Sequence, residues 1–191
     1  MCLPDDAAIS ACELANGQCR LLDASTAHRT HSDWVYGLPE LNAAARTAIA
    51  SADKVSNPGC YPQGFILSVL PLIEAGLLDA ATPLRCYAVS GYSGGGRQMI
   101  ESFQARTKTQ ADALNTQAYG LTQSHKHLPE MQHYSGCDKH PFSYPPLPTT
   151  IKACWSAFPC SLTNSAVPLQ KMFSAYWRNA MRASGLSSAS C

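Results

Sequence analysis

The residues whose types suit chemistry fall into three clusters along this 191-residue chain. The first, Asn57-Pro58-Gly59-Cys60-Tyr61-Pro62, puts a thiol where a turn hands over to a helix. Unpaired N–H groups and the positive dipole end at such a helix start favour thiolate over thiol, as a sulfur nucleophile requires. Free cysteine is also among the most often buried residue types, so spacing alone leaves a packing role open. The second cluster, His125-Lys126-His127-Leu128-Pro129-Glu130, supplies two imidazoles for proton transfer and a carboxylate able to orient one of them. Its plainer reading is a solvated surface loop or, joined by His133, a weak metal site. No metal is expected, because the thiols and imidazoles lack compact, paired ligand spacing. The third, Asp23-Ala24-Ser25-Thr26-Ala27-His28-Arg29, offers hydroxyls and a guanidinium that can grip a phosphate or carboxylate. It can equally be a helix-capping loop.

The elements that must position these clusters alternate as in an α/β enzyme. Arg20 to Asp23 reads as a short buried strand ending in the polar loop Ala24 to Arg29. An alanine-rich helix over Ala43 to Ala52 leads to a strand opening at Lys54-Val55-Ser56, then to the turn Asn57-Pro58-Gly59. Phe65, Ile66, Val69, Leu70 and Ile73 recur at helical spacing, and Gly76 sits where a C-terminal cap belongs, which predicts a core-facing helix over Pro62 to Ile73. Leu84 to Val89 reads as a strand running into Ser90-Gly91-Tyr92-Ser93-Gly94-Gly95-Gly96, whose glycines permit close backbone approach to a ligand. Without a Gly-Lys-Ser/Thr ending, that loop is not a Walker loop.

Composition narrows the function classes. A net charge of +1, from 14 Lys+Arg against 13 Asp+Glu, leaves no electrostatic footprint for nucleic acid or an anionic membrane. The longest mostly apolar stretch, Phe65 to Ile73, falls far short of the ~20 residues that span a bilayer, so a cytoplasmic protein is expected. Nine irregularly spaced cysteines read as free thiols rather than a disulfide framework.

After Gly136 the character changes. Six of the 13 prolines, four of the nine cysteines and two of the three tryptophans lie there, with Asp138 the only acidic residue. Such a stretch makes a poor domain, yet Trp155, Phe158, Tyr176 and Trp177 are too apolar for a typical disordered tail. Back-translation with each codon begun one nucleotide earlier offers another reading. Ala153 to Pro159 then permits Gly-Met-Leu-Val-Ser-Val-Pro, which alternates like a strand, and Lys171 to Ala183 permits an amphipathic helix. Residues 137–191 are therefore expected to be a frameshifted translation.

Six segments occur in an order that resembles the shorter variety of the N-acetyl-gamma-glutamyl-phosphate reductase family: Cys2 to Ala8, Asp23 to Arg29, Tyr36 to Leu41, Asn57 to Pro62, Ser90 to Gly96 and His125 to Met131. The resemblance covers Met1 to Gly136, and Asn-Pro-Gly-Cys-Tyr-Pro is its most specific motif. It implies α/β plus α+β architecture: 1–59 as the remnant of a Rossmann-type NADP-binding domain, and 60–136 as part of an α+β semialdehyde-dehydrogenase catalytic and dimerisation domain. It implies reduction of N-acetyl-gamma-glutamyl phosphate, a small-molecule acyl phosphate, by NADP(H) through a thioester on Cys60. His127 would be the general acid/base with His125 second, Glu130 would orient His127, Ser25 and Arg29 would hold substrate anions, and Ser93 and Gly94 would lie near the nicotinamide. Such enzymes are homo-oligomers. Met1 falls after the family's Gly-rich cofactor turn, so cofactor binding, dimerisation and turnover are expected to be impaired. The alternative is a non-catalytic fragment that associates with full-length subunits.

Overall fold

The computed structural model describes residues 1–88, 90–109, 116–118, 122–144, 146–148 and 157–159, all within the compact unit Met1–Ser161. Three short strands, β1 (Leu21–Asp23), β2 (Val35–Tyr36) and β3 (Lys54–Ser56), form a parallel sheet with β3 in the middle. Leu22 and Val35 both register with Val55 across that central strand. Asp23 and Ser56, at the ends of β1 and β3, are fully buried, so the polar loops that follow both strands leave the sheet on one side. Met1 runs along the outer edge of β1: its amino group donates to the Leu22 carbonyl, and its own carbonyl accepts from the Ala24 N–H at 2.9 Å. This is the bond pattern of a parallel pair.

Helix α1 (Asp5–Ala15) was not foreshadowed by any apolar stripe, and only Ala8 on it is buried. Its warrant is local: Asp5 and Asp6 occupy the first turn, where the helix dipole favours carboxylates, and Asn16 closes it with a left-handed φ of 43°. The alanine-rich segment forms α2 (Ala45–Ser51), close to the expected bounds. Helix α3 (Cys60–Glu74) starts two residues before the expected Pro62, because Gly59 is the extended N-cap and Cys60 the first helical residue. It buries Phe65, Ile66 and Val69 at 2% exposure or less, each side chain worth about 1.5–3 kcal/mol of transfer free energy. Gly76 caps its far end with φ +67°, the Gly76 N–H reaching Ile73 O at 2.9 Å and the Leu77 N–H reaching Leu72 O at 2.9 Å. Together they satisfy the last carbonyls as a Schellman cap.

Beyond it come β4 (Arg85–Ala88), a 3-10 turn over Tyr92–Gly95, α4 (Gly96–Thr109) and β5 (Thr116–Ala118). The His-Lys-His segment is not a surface loop: it opens α5 (His127–Ser135), which Gly136 ends with φ +78°. Leu128 and Met131 are buried as α5 packs on α3, and Gly136 lies against Leu70 and Ile73 of that helix. Three strands fall after Gly136: β6 (Phe142–Tyr144) pairs parallel with β4, β8 (Ala157–Pro159) antiparallel with β4, and β7 (Pro146–Pro148) antiparallel with β5. The amphipathic segment 171–183 of the alternative frame lies outside the described residues. Among the described residues no helix is long and apolar enough to cross a membrane.

Candidate active site

Cys60 sits at the N-terminus of α3 and is exposed. The residue before it has three close neighbours from distant parts of the chain. A Cβ placed on Gly59 would lie 2.7 Å from Arg29 Nη1, 2.7 Å from Glu130 Oε2 and 2.8 Å from His127 Cδ2. Glycine is thus required here by packing, since its φ of −65° suits any residue. The Asp23 loop, the turn before Cys60 and α5 meet at this point.

Glu130 is 1% exposed and fully engaged. Its Oε1 accepts from the Gly59 N–H at 2.6 Å and the Tyr36 hydroxyl at 2.7 Å, while Oε2 accepts from Arg29 Nη1 at 3.2 Å. The expectation that Glu130 orients His127 is corrected: its oxygens hold the backbone before the thiol instead. Burial pushes its carboxyl above the usual range, and the Gly59 N–H, the Tyr36 hydroxyl and Arg29 oppose that.

Arg29 is held as a strut. Its Nε donates to Asn57 O at 3.0 Å, Nη2 to Ala24 O at 3.2 Å and Nη1 to Glu130, and its carbonyl accepts from the Tyr134 hydroxyl at 2.7 Å. Ser25 is spent within its own loop: its hydroxyl donates to Asp23 Oδ2 at 2.5 Å and accepts from the Ala27 N–H at 3.2 Å. Asp23 Oδ2 also lies 2.7 Å from His28 Nδ1, and His28 stacks on Trp34 with ring centroids 4.1 Å apart. Burial alone would raise the Asp23 carboxyl, but the hydrogen bonds from Ser25 and His28 hold it below the usual carboxylate range. The loop's hydroxyl, carboxylate and imidazole are thus bonded to one another.

His127 is 8% exposed, and its Nδ1 is buried with no hydrogen-bond partner. Burial pushes its pKa down to about 3, helped by His125, Arg29 and Lys126, so the ring is neutral at pH 7. The His127 N–H donates to His125 Nδ1 at 3.2 Å, which leaves the His125 proton on Nε2 when that ring is neutral. The two rings meet edge to face at 4.5 Å, and His127 also meets Tyr61 edge-on at 5.7 Å. Although Cys60 is exposed, desolvation by the surrounding protein raises its thiol above the ordinary value; the Tyr61 and Cys60 N–H groups and Arg29 pull it down, and Glu130 adds to the rise. The helix end acts in the expected direction, but desolvation outweighs it.

The structure places Ser93 and Gly94 in the 3-10 turn before α4. A Cβ on Gly94 would lie 2.6 Å from Ser90 Oγ, and one on Gly95 would lie 2.2 Å from the Met99 sulfur. The Ser90 and Met99 side chains thus stand where a Cβ on Gly94 or Gly95 would go, whereas Gly96, at φ +78°, has open space there. Among the described residues no group of three or more His, Cys, Asp or Glu is placed to hold a metal ion.

Sequence reasoning missed Tyr36 and Tyr134 as site residues. Their rings stack at 3.8 Å, and their hydroxyls serve Glu130 and Arg29 respectively. Tyr36 lay within the quoted Tyr-Gly-Leu-Pro-Glu-Leu motif without an assigned task. Tyr134 carried no local signal, because its partner stands 105 residues away.

A helix-end thiol, a buried neutral imidazole and a mixed α/β frame around them define the class. The chain belongs to the semialdehyde dehydrogenase family, whose dimerisation domain matches residues 60–180. That match extends past Gly136 into the stretch expected to be read out of frame. Within the family, its relatives are N-acetyl-gamma-glutamyl-phosphate reductases. It is 51% identical over 146 residues to N-acetyl-gamma-glutamyl-phosphate reductase 2 of Pseudomonas putida, 48% over 149 to that of Nostoc sp., and 47% over 146 to the Chelativorans sp. reductase. Each match covers 76% of this chain and 46% of the relative, so the chain spans about half the length of the curated relatives it matches. The fold is like that of aspartate semialdehyde dehydrogenase II from Vibrio cholerae, with a TM-score of 0.53, 15% identity, and coverage of 77% of this chain and 50% of that one.

Proposed function

We propose that this chain is the thiol-bearing part of an NADP(H)-dependent reductase of N-acetyl-gamma-glutamyl phosphate, an enzyme of arginine biosynthesis. The observation that carries the reading is the seating of Gly59, immediately before Cys60, against His127, Glu130 and Arg29. In the acyl-transfer half, the Cys60 sulfur attacks the acyl carbon as the thiolate, its proton taken up by the His127 and His125 imidazole pair. A C–S bond forms, the C–O bond to phosphate breaks, and phosphate leaves with the electron pair, giving a thioester. His125 is the second imidazole, able to relay a proton to solvent. Reduction of the thioester to the aldehyde is the chemistry NADP(H) supplies when bound. Ser93 and Gly94 would lie near the nicotinamide, and no step of hydride transfer is assigned to residues here.

On this reading 1–59, with its parallel sheet, is the later part of a Rossmann-type NADP-binding domain, and 60–136 is part of the catalytic and dimerisation domain. The region from 137 onward is translated out of frame, and the working assembly is a cytoplasmic homo-oligomer. Incubating the purified chain with N-acetyl-glutamate semialdehyde, phosphate and NADP tests the activity. Formation of reduced cofactor is the expected result. Absence of any Cys60 thioester with an acyl phosphate donor would overturn the chemistry. Resequencing the DNA across the Gly136 codon tests the frame.

A further inference from the structure

We infer that Tyr36 is a positioning residue for the Cys60 nucleophile, acting through the Glu130 carboxylate on the Gly59 peptide; this rests on the acyl-transfer reading above. Tyr36 belongs to the Tyr36 to Leu41 motif, which the function has not otherwise absorbed.

The chain of contacts is short and closed. The Tyr36 hydroxyl and the Gly59 N–H donate to the same oxygen, Glu130 Oε1, at 2.7 and 2.6 Å. That shared acceptor ties the end of β2 to the residue that begins the helix of the nucleophile. Every group involved is buried: Tyr36 at 4% exposure, Glu130 at 1%. With water excluded, a lost donor is not replaced by solvent. Tyr36 itself has little freedom. One ring face stacks on Tyr134 at 3.8 Å, it shares a core cluster with Leu38 and Ile66, and the following Gly37 N–H donates to Ser56 O at 2.8 Å. A Cβ on Gly37 would lie 2.8 Å from that same oxygen, so β2 is pressed onto β3 just before the nucleophile turn.

This arrangement separates two properties of Cys60. Alkylation by a small neutral reagent needs only an exposed thiol. Acyl transfer also needs the sulfur held at a fixed attitude to His127, and that attitude is what the Gly59–Glu130–Tyr36 bonds define. A misplacement of about 1 Å in such a geometry costs on the order of a hundredfold in rate.

The test compares wild type, Tyr36→Phe and, as a control at an exposed site, Tyr87→Phe. Acylation of Cys60 by acetyl phosphate and its alkylation by iodoacetamide are each followed by peptide mass spectrometry across a range of pH. Tyr36→Phe keeps the ring stack and removes only the hydroxyl. Its acylation rate is expected to fall about tenfold or more while alkylation stays within about twofold, and Tyr87→Phe changes neither. Equal falls in both rates, or no fall in either, overturn the positioning role. A wild-type thiol that is alkylated but never acylated overturns the thioester reading first, and the role of Tyr36 with it. Should Tyr36→Phe fail to fold, Glu130→Gln, which removes the charge but keeps the shape, reads the same ratio with the same expectation.

Discussion

At the scale of single residues, the site is governed by burial more than by charge pairing. His127 shows this most directly. An unfolded His127 takes up a proton below its ordinary value of 6.5, whereas the folded ring stays neutral down to about 3. Unfolding therefore binds a proton throughout that window, and stability falls as pH drops through it. From pH 6.5 to 5 the loss from this residue is about 2 kcal/mol. Glu130 works with the opposite sign, since its raised carboxyl takes up a proton earlier in the folded state. The two are separated by comparing wild type with His127→Asn: urea midpoints at pH 7 and pH 5 should differ less in the variant. An identical pH dependence in both proteins would rule out a buried neutral His127. Gly59 gives a second residue-scale prediction. A methyl there meets Arg29, Glu130 and His127 within 2.8 Å, so Gly59→Ala should cost about 1–3 kcal/mol by overpacking and abolish Cys60 acylation. Thermal melts and the acylation assay read the two effects separately.

At the scale of elements, α3 carries both core residues and Cys60, and its two glycine boundaries work for different reasons. Gly76 has φ +67° and open space where a Cβ would sit, so Gly76→Ala should cost about 1 kcal/mol of purely conformational strain and leave Cys60 chemistry unchanged. The contrast with Gly59→Ala, where the backbone is ordinary and the space is full, is the check. Ile66 is 0% exposed and joins α3 to Tyr36 and Leu38. Truncation to alanine should cost about 2–5 kcal/mol in denaturant melts, because its neighbours come from three separate segments and cannot all collapse onto the void. The helix was readable from Phe65, Ile66 and Val69 at 3.6-residue spacing. The turn motif around Cys60 also pointed to a helix start there, but not to Gly59 being held by Glu130 from 71 residues away.

At the scale of the whole molecule, the buried Arg29–Glu130 pair joins the loop after β1 to α5 across 101 residues of sequence, and Tyr134 returns from α5 to the Arg29 carbonyl. Removing Arg29 strands a buried carboxylate. Arg29→Met should cost about 3–5 kcal/mol, and the double variant with Glu130→Gln should recover part of that loss; strictly additive melts would show that the pair is not coupled. The sequence by itself determined the local patterns: strands at Arg20 to Asp23 and from Lys54-Val55-Ser56, the amphipathic α3 with its glycine stop, and a cysteine and two histidines of suitable chemistry. Those follow from periodicity and turn residues, which act over a few positions. It also carried the motif order that matches the reductase relatives. Tertiary structure alone decided the rest: that Arg29 and Ser25 are spent on their own loop and its neighbours, that Glu130 serves Gly59 and not His127, and that Tyr36 and Tyr134 complete the site. The reason is physical. A buried polar group takes whichever partner the packing of distant segments brings within hydrogen-bonding distance, and no local pattern encodes that choice.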